Sequence, residues 1–459
     1  MKPLLIAFFL GSLVSFRAVA ADKEIEEDYA KRVERAKLEE KPENHRNLAS
    51  WCRRNYPEKQ AFHQNAYHEH VFAQAEAKLP AQPGASVYLD LVKQAQKLEL
   101  PDKEDEYHLK WGGLQYNEFS AKLKPGNAKM MGQLLTWVDR NNLRNLDAAQ
   151  ELAKQLLDIE ESEVARKVLG HVEIDGKWMT VAEAIAGIKL GDPVARVELH
   201  RKLAKARKGV PVEYPANPMK GLEQVGTRYM AATRASGGQA KYLLFENGYS
   251  RSKPCPLIIG LHGGGSGGYE KALEGARSQC GFWSRDGLKG GYVVLAPIAR
   301  KHVTNSWGTG SNFNDLIDAI EETTRRFNID RTRIYVTGQS MGGGGTSQYY
   351  AAISEFAAAY CARAGYYWIP QYAKPLAGKP IMVIHGDQDE AFRNATRDTF
   401  LEYVKNHDGQ LEFIRYEDEG HNMVSRLVNP HMMPFFEKHR NEIEPDFELI
   451  RAAGLLRFK

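Results

Sequence analysis

Cysteine is scarce: Cys52, Cys255, Cys280 and Cys361 are the whole complement in 459 residues. Four are too few for a disulfide scaffold, and none stands in the C-x-x-C spacing of a zinc site. More than one pairing is open to them; Cys280 with Cys361 is the one that falls within a single expected domain. Net charge is scarce too. The formal charge is +4, and loss of Lys2 and Arg17 with the N-terminal segment would leave 4 − 2 = +2. A balance so near neutral excludes an electrostatic footprint for nucleic acid or an anionic membrane. Long apolar runs are missing as well. Leu4 to Phe16 covers thirteen residues, short of the roughly 20 that span a bilayer.

Absent motifs exclude further chemistries. His63, His68, Glu69 and His70 cluster, but H-E-x-x-H is not among their spacings. On a helix His63 and His70 share a face and His68 lies away from it, so a solvated face is expected and no metal. Gly263, Gly265 and Gly268 satisfy G-x-G-x-x-G, with Asp286 as a conceivable ribose acid. No redox constellation accompanies them, and no Lys-Ser/Thr follows to make a phosphate-gripping loop. No cofactor is expected.

Lys2, the apolar stretch and Ala18-Val19-Ala20 form a secretory pattern over residues 1–20. The expectation is an exported protein, secreted or periplasmic, without stable membrane insertion. Residues 21–210 read as a mainly helical domain. Trp51-Cys-Arg-Arg-Asn55 recurs as Trp137-Val-Asp-Arg-Asn141, each before an Ala-rich stretch. Asp175-Gly176 between short apolar runs predicts a hairpin turn. Residues 142–180 resemble helical-repeat segments of the tetratricopeptide kind, joined to an element met beside secreted hydrolases. The implied role is a spacer, or a surface that docks an unknown partner. Pro211, Pro215 and Pro218 mark a stiff linker over 211–221.

From residue 222 the pattern changes to short apolar strands alternating with helices, which predicts an α/β domain with a mostly parallel sheet covered on both faces. Such sheets carry their sites at the carboxyl ends of the strands, and four strand ends here are chemically loaded. Pro256-LIIGLH runs into GGGSGG (263–268). Arg333-IYVT runs into Gly338-Gln-Ser340-Met-Gly342, a G-x-S-x-G pattern whose sharp turn needs small neighbours. Pro380-IMVIH ends in Gly386-Asp387-Gln-Asp389, and Leu411-EFIRY ends in Glu417-Asp-Glu-Gly-His421. The order serine, acid, histidine is that of the α/β-hydrolase arrangement.

These motifs, with the span NFNDLIDAIEETTRRFNIDRTRIYVTGQSMGG, make residues 222–445 resemble an α/β-hydrolase, closest to secreted esterases of the polyhydroxybutyrate-depolymerase and feruloyl-esterase kind. The resemblance implies Ser340 as nucleophile, Asp389 as acid and His421 as base, with Asp387 the rival acid. It implies oxyanion N–H groups from Met341 and from Gly264 or Gly265. The expected catalytic domain is 222–459. Trp307, Tyr366, Tyr367 and Trp368 are candidates to stack on a carbohydrate-linked or aromatic acyl ester. His262 and His385, each ending a strand, are expected to brace loops. A serine peptidase of the prolyl-oligopeptidase kind shares the triad order and is the rival enzyme; an inert hydrolase domain in a binding protein is the rival without catalysis.

Overall fold

The computed structural model describes residues 27–459 apart from 56, 99, 207–217, 220–221, 226–227, 234–239, 251, 265–267, 285–290, 301–305, 368, 370–372, 392–393, 424 and 459. The expected signal segment lies outside the described residues, as does most of the expected linker. The chain forms two compact units, Met1–Glu160 with Met219–Thr227, and Glu161–Pro218 with Arg228–Lys459.

The first unit is built from helices. Phe72, Leu91, Val92, Ala95 and Tyr107, on three successive helices, form one of its buried clusters. The recurring W-x-x-R-N proves to be a helix-ending device. In each copy the asparagine amide donates to the tryptophan carbonyl four residues back, Asn55 to Trp51 at 2.9 Å and Asn141 to Trp137 at 2.8 Å. The side chain adds a second donor to a last-turn carbonyl, since Trp137 already accepts from the Asn141 N–H at 3.1 Å. His63 departs from expectation. It is fully buried on the helix Pro57–Glu76, bonded to the Tyr29 hydroxyl at 2.9 Å and to His45 at 2.7 Å. Among the described residues no group of His, Cys, Asp and Glu could hold a metal ion.

The second unit begins earlier than the expected boundary at 210, and side-chain chemistry explains why. The hairpin of β1 (His171–Ile174) and β2 (Lys177–Thr180) turns through Asp175 and Gly176, both at positive φ. Val172 and Ile174 pack with Leu199 and Leu203 of the helix Pro193–Ala206 and with Leu449 near the C-terminus. The same helix buries Arg196 against Glu355 and His200 against Asp446. Residues 161–206 therefore share a core with the sheet that follows.

A short strand, β3 (Glu223–Val225), belongs to the first unit. The strands of the second unit's sheet are β4 (Arg228–Ala232), β5 (Lys241–Asn247), β6 (Cys255–Leu261), β7 (Tyr292–Pro297), β8 (Ile329–Gln339), β9 (Ala359–Arg363), β10 (Pro380–Gly386) and β11 (Gln410–Tyr416). Their spatial order is β11, β10, β9, β8, β6, β7, β5, β4. Only β5 runs against the rest, pairing antiparallel with β4 and β7. β6, β9 and β10 are buried along their whole length, as strands covered on both faces must be.

Two helices show how sequence fits location. Gly310–Arg326 is amphipathic, burying Phe313, Leu316, Ile317 and Ile320, and Thr309 caps its first turn by accepting from the Asn312 N–H. Met341–Ile353 has no polar face at all: every residue is buried, packed on β8 and β9 and against the helix Phe447–Arg457. The four cysteines are buried and form no disulfide, so the pairing of Cys280 with Cys361 does not form. Both lie in one apolar cluster of the second unit.

Candidate active site

Ser340 links β8 to the helix Met341–Ile353 with φ 61° and ψ −122°. A non-glycine residue there is strained by about 1–3 kcal/mol and persists only where its surroundings enforce it. The Ser340 N–H donates to the Arg363 carbonyl on β9 at 3.1 Å, and the Ser340 carbonyl accepts from Gly344 N–H at 3.0 Å. The flanking glycines answer to backbone rather than to side chains. A Cβ on Gly342 would stand 2.0 Å from the Leu261 carbonyl oxygen, and one on Gly343 would stand 2.5 Å from that of Arg363. No rotamer relieves such a clash, so the run of glycines lets the helix start pass across the ends of β6 and β9. Its first turn directs N–H groups and the positive dipole end toward the serine.

The loop after β6 lies alongside. A Cβ on Gly263 would meet the Ser340 Cβ at 3.3 Å, and one on Gly264 would meet the Met341 sulfur at 2.9 Å. Gly264 and Met341 thus stand together; Gly265 lies outside the described residues. His262 braces this loop. Ala299 N–H donates to its Nε2 at 3.1 Å, so Nδ1 carries the proton and donates to the Gly263 carbonyl at 2.7 Å.

The loops after β10 and β11 are tied by their backbones. Asp387 N–H donates to the Tyr416 carbonyl at 2.9 Å and Gln388 N–H to that of Glu419 at 3.0 Å. The tie brings His421 against Asp389, with Nδ1 2.9 and 3.1 Å from the two carboxylate oxygens. The Asp389 side chain is fully buried while the His421 side chain is 25% exposed, so the imidazole meets solvent and the carboxylate is screened from it. Asp389 also accepts from Ala391 N–H at 3.0 Å. Asp387, the rival acid, faces Arg415 at 2.6 Å and Arg397 at 3.0 Å. Arg415 above all, then Arg397, holds its pKa below the ordinary aspartate value. It does not touch the histidine.

Two residues that sequence reasoning passed over shape this site. Gln339, immediately before the serine, donates from Nε2 to the His421 carbonyl at 2.7 Å and so ties the histidine loop to the elbow. Arg363 is fully buried beneath it, donating to Thr337 Oγ1 and Gln279 Oε1, with its guanidinium 4.2 Å from the Phe282 ring centre. Burial lowers its pKa to about 10. Gln339 fills a variable position of the G-x-S-x-G pattern and Arg363 stands in no motif, so nothing in the sequence marks either role.

The aromatic candidates divide. Trp307 is buried, its indole N–H donating to the His262 carbonyl at 3.0 Å, so it is framework and not a stacking surface. Tyr367 is buried as well, stacked on Phe400 with centroids 5.4 Å apart and its hydroxyl 3.2 Å from His385 Nδ1. Both therefore correct the expectation of substrate contact. Tyr366 is 36% exposed, and its backbone abuts the helix start at Gly344. Trp368 lies outside the described residues.

A sheet with one antiparallel strand, a strained serine elbow after β8, and an acid and histidine after β10 and β11 decide the architecture. The second unit has the α/β-hydrolase fold. Residues 288–432, less than half of the chain, match the family model described as the dienelactone hydrolase family. No curated protein matches the sequence. Among solved structures the chain is similar to a thermostable esterase, at 22% identity and TM-score 0.36 over 44% of this chain and 59% of that one. It is also similar to a putative dipeptidyl aminopeptidase IV from Bacteroides ovatus, at 17% and 0.37 over 46% and 35%. Esterase 2 of Thermogutta terrifontis is similar at 17% and 0.33, over 43% and 87%. The first two of these are thus spanned over less than two thirds of their own length.

Proposed function

We propose that the protein is a serine hydrolase that cleaves carboxylic esters through an acyl-enzyme. One observation carries the reading: the strained Ser340 elbow and the His421–Asp389 pair are fastened to each other through Gln339. The match of 288–432 to a hydrolase family supports it.

His421 accepts the Ser340 hydroxyl proton at Nε2 as the serine oxygen bonds to the ester carbonyl carbon. Asp389, on Nδ1, fixes the tautomer and stabilises the imidazolium. The oxyanion meets N–H groups of Met341 and the Gly264 loop; such a donor is worth about 2.7–4 kcal/mol in well-studied enzymes. The alcohol leaves with the proton from His421. Water then gives a proton to His421, adds to the acyl carbon and releases the acid, restoring Ser340. Tyr366 would flank an aromatic or sugar-linked acyl group, a role its exposure supports.

Hydrolysis of aryl acetates and methyl ferulate by the wild type, beside a folded Ser340→Ala, tests this directly. A wild type inert on esters but active on a proline peptide would hand the site to the peptidase reading. Residues 27–206 disfavour that outcome, since their described elements are helices and one hairpin rather than propeller strands. The N-terminal segment supports export, which N-terminal sequencing of the secreted protein would check by a start at Ala21.

A further inference from the structure

At the other end of the hydrolase sheet lies a cleft of about 280 Å³ lined by His200, Glu355, Lys379 and Asn441. It sits at the amino ends of the strands, where Pro380 and Gln410 enter β10 and β11. The seven residues of β10 separate it from the Gly386 turn by about 20 Å.

Its cations are unequally paired. Arg196 and Glu355 form a fully buried bidentate pair, one bond at 3.0 Å, so the carboxylate is consumed by the guanidinium. Lys379 is buried beside them, and its ammonium donates only to neutral oxygens, the Ala357 carbonyl at 2.7 Å and the Asn441 amide. Lys379 thus has no carboxylate within hydrogen-bond reach, with Glu355 and Glu442 acting on it only at longer range, so its buried ammonium lacks a direct anionic partner. At the rim, exposed Arg440 is bonded to Asp330, and exposed Glu442 stands near Arg201.

His200 supplies the second observation. It is 3% exposed, and its Nδ1 accepts the Asp446 N–H at 2.9 Å. The neutral ring must then carry its proton on Nε2, and that N–H has no partner among the described residues. Burial draws the His200 pKa down and draws that of Lys379 to about 8, which leaves the ammonium charged at neutral pH.

We propose that this cleft binds a small oxyanion, a carboxylate or inorganic phosphate, received by Lys379 Nζ and His200 Nε2–H. This site is independent of the ester chemistry and stands whether or not Ser340 is a nucleophile. Calorimetric titration of the whole protein at neutral pH, with sodium phosphate and separately with sodium propionate, tests it. One saturable site is expected for at least one probe, and the probe that saturates tells carboxylate from phosphate. Lys379→Met and His200→Asn should each weaken it about tenfold, as losing a charge-assisted hydrogen bond does. The asparagine keeps an oxygen for Asp446 N–H while deleting the ring N–H, so it decides the matter if Lys379→Met fails to fold. Titrations that saturate with neither probe, or an affinity unchanged in His200→Asn, overturn the proposal.

Discussion

At the carboxyl ends of β8, β10 and β11, reactive side chains stand on turns tied to one another by hydrogen bonds, Ser340 and His421 partly exposed and Asp389 buried behind the imidazole. At the amino ends of β9 and β10, polar side chains are instead buried, and side chains hold one another: Arg196 on Glu355, Lys379 on Asn441. The first arrangement spends conformational strain to present groups to a substrate. The second spends desolvation to join residues 193–206 to the sheet. Strain at one end and buried charge at the other make different demands, so changes at the two ends should separate activity from stability.

The largest separation is expected at Ser340. Ser340→Ala should lower kcat/KM on esters by at least about 10³-fold, roughly 4 kcal/mol of transition-state stabilisation. Its unfolding midpoint should stay near that of the wild type, because alanine meets the same backbone strain. Residual turnover within about tenfold of wild type would remove the serine from the mechanism.

Glu355→Gln addresses the opposite end. It leaves Arg196 and Lys379 buried without a carboxylate, and removing one partner of a buried pair costs about 3–5 kcal/mol. Urea unfolding should show that loss, while the activity per folded molecule stays unchanged. An inactive but fully stable variant would mean that the two ends are coupled and that the comparison drawn above is false.

How far each end could be read from sequence follows from the same contrast. The elbow, the loop after β6 and the His421 loop are local: backbone demands a small residue or a sharp turn within a few positions, so glycine and the reactive residue appear side by side. The Asp175-Gly176 turn was legible for that reason too. The amino-end network joins residues 196, 355, 379 and 441, and no spacing rule relates them. That is why the unit boundary at Glu160 was missed by some fifty residues. Trp307 and Tyr367 misled differently. An aromatic in a glycine-rich loop looks available for stacking, yet a glycine removes side-chain bulk and leaves a gap for that ring. Gly345 yields such a gap to Trp307, whose Cβ a Gly345 Cβ would approach to 2.6 Å.

Lys379 offers a graded test of buried charge. Its folded pKa, lowered to about 8, lies below its ordinary value of 10.5. Between those values the unfolded chain holds more protons than the folded one, so this lysine adds stability as pH rises. Below about 8 it is charged in both states and its burial penalty is paid in full. Wild type should therefore gain on Lys379→Met as pH climbs from about 8 to 10.5, by at most about 1.4 kcal/mol per pH unit. Parallel stability curves for the two proteins would refute the assignment.

Gln339 sharpens the carboxyl end. Gln339→Ala frees the His421 loop from the elbow but touches no reacting atom. A single hydrogen bond of this kind is worth about 0.5–1.5 kcal/mol, so kcat should fall by up to about tenfold. KM should hold, and Gln339→Asn, with a shorter reach, should fall between alanine and wild type. A change confined to KM would place Gln339 in substrate binding instead.

The smallest effect should come from the carboxylate two residues from the acid. Asp387 and Asp389 share one turn, yet the first is bonded to Arg397 and Arg415 and the second to His421. Asp387→Asn keeps the backbone tie to Tyr416 and loses ion pairs with exposed Arg415 and with buried Arg397, which keeps Asp398, so activity should change by less than about threefold. Asp389→Asn keeps nearly the same shape but offers Nδ1–H a poorer acceptor and allows the wrong tautomer, so its loss should approach that of Ser340→Ala. The ratio of the two variants measures how strictly this turn sorts its carboxylates. If they prove equally impaired, the imidazole answers to the summed negative charge of the turn, and orientation by one buried carboxylate is not what activates it.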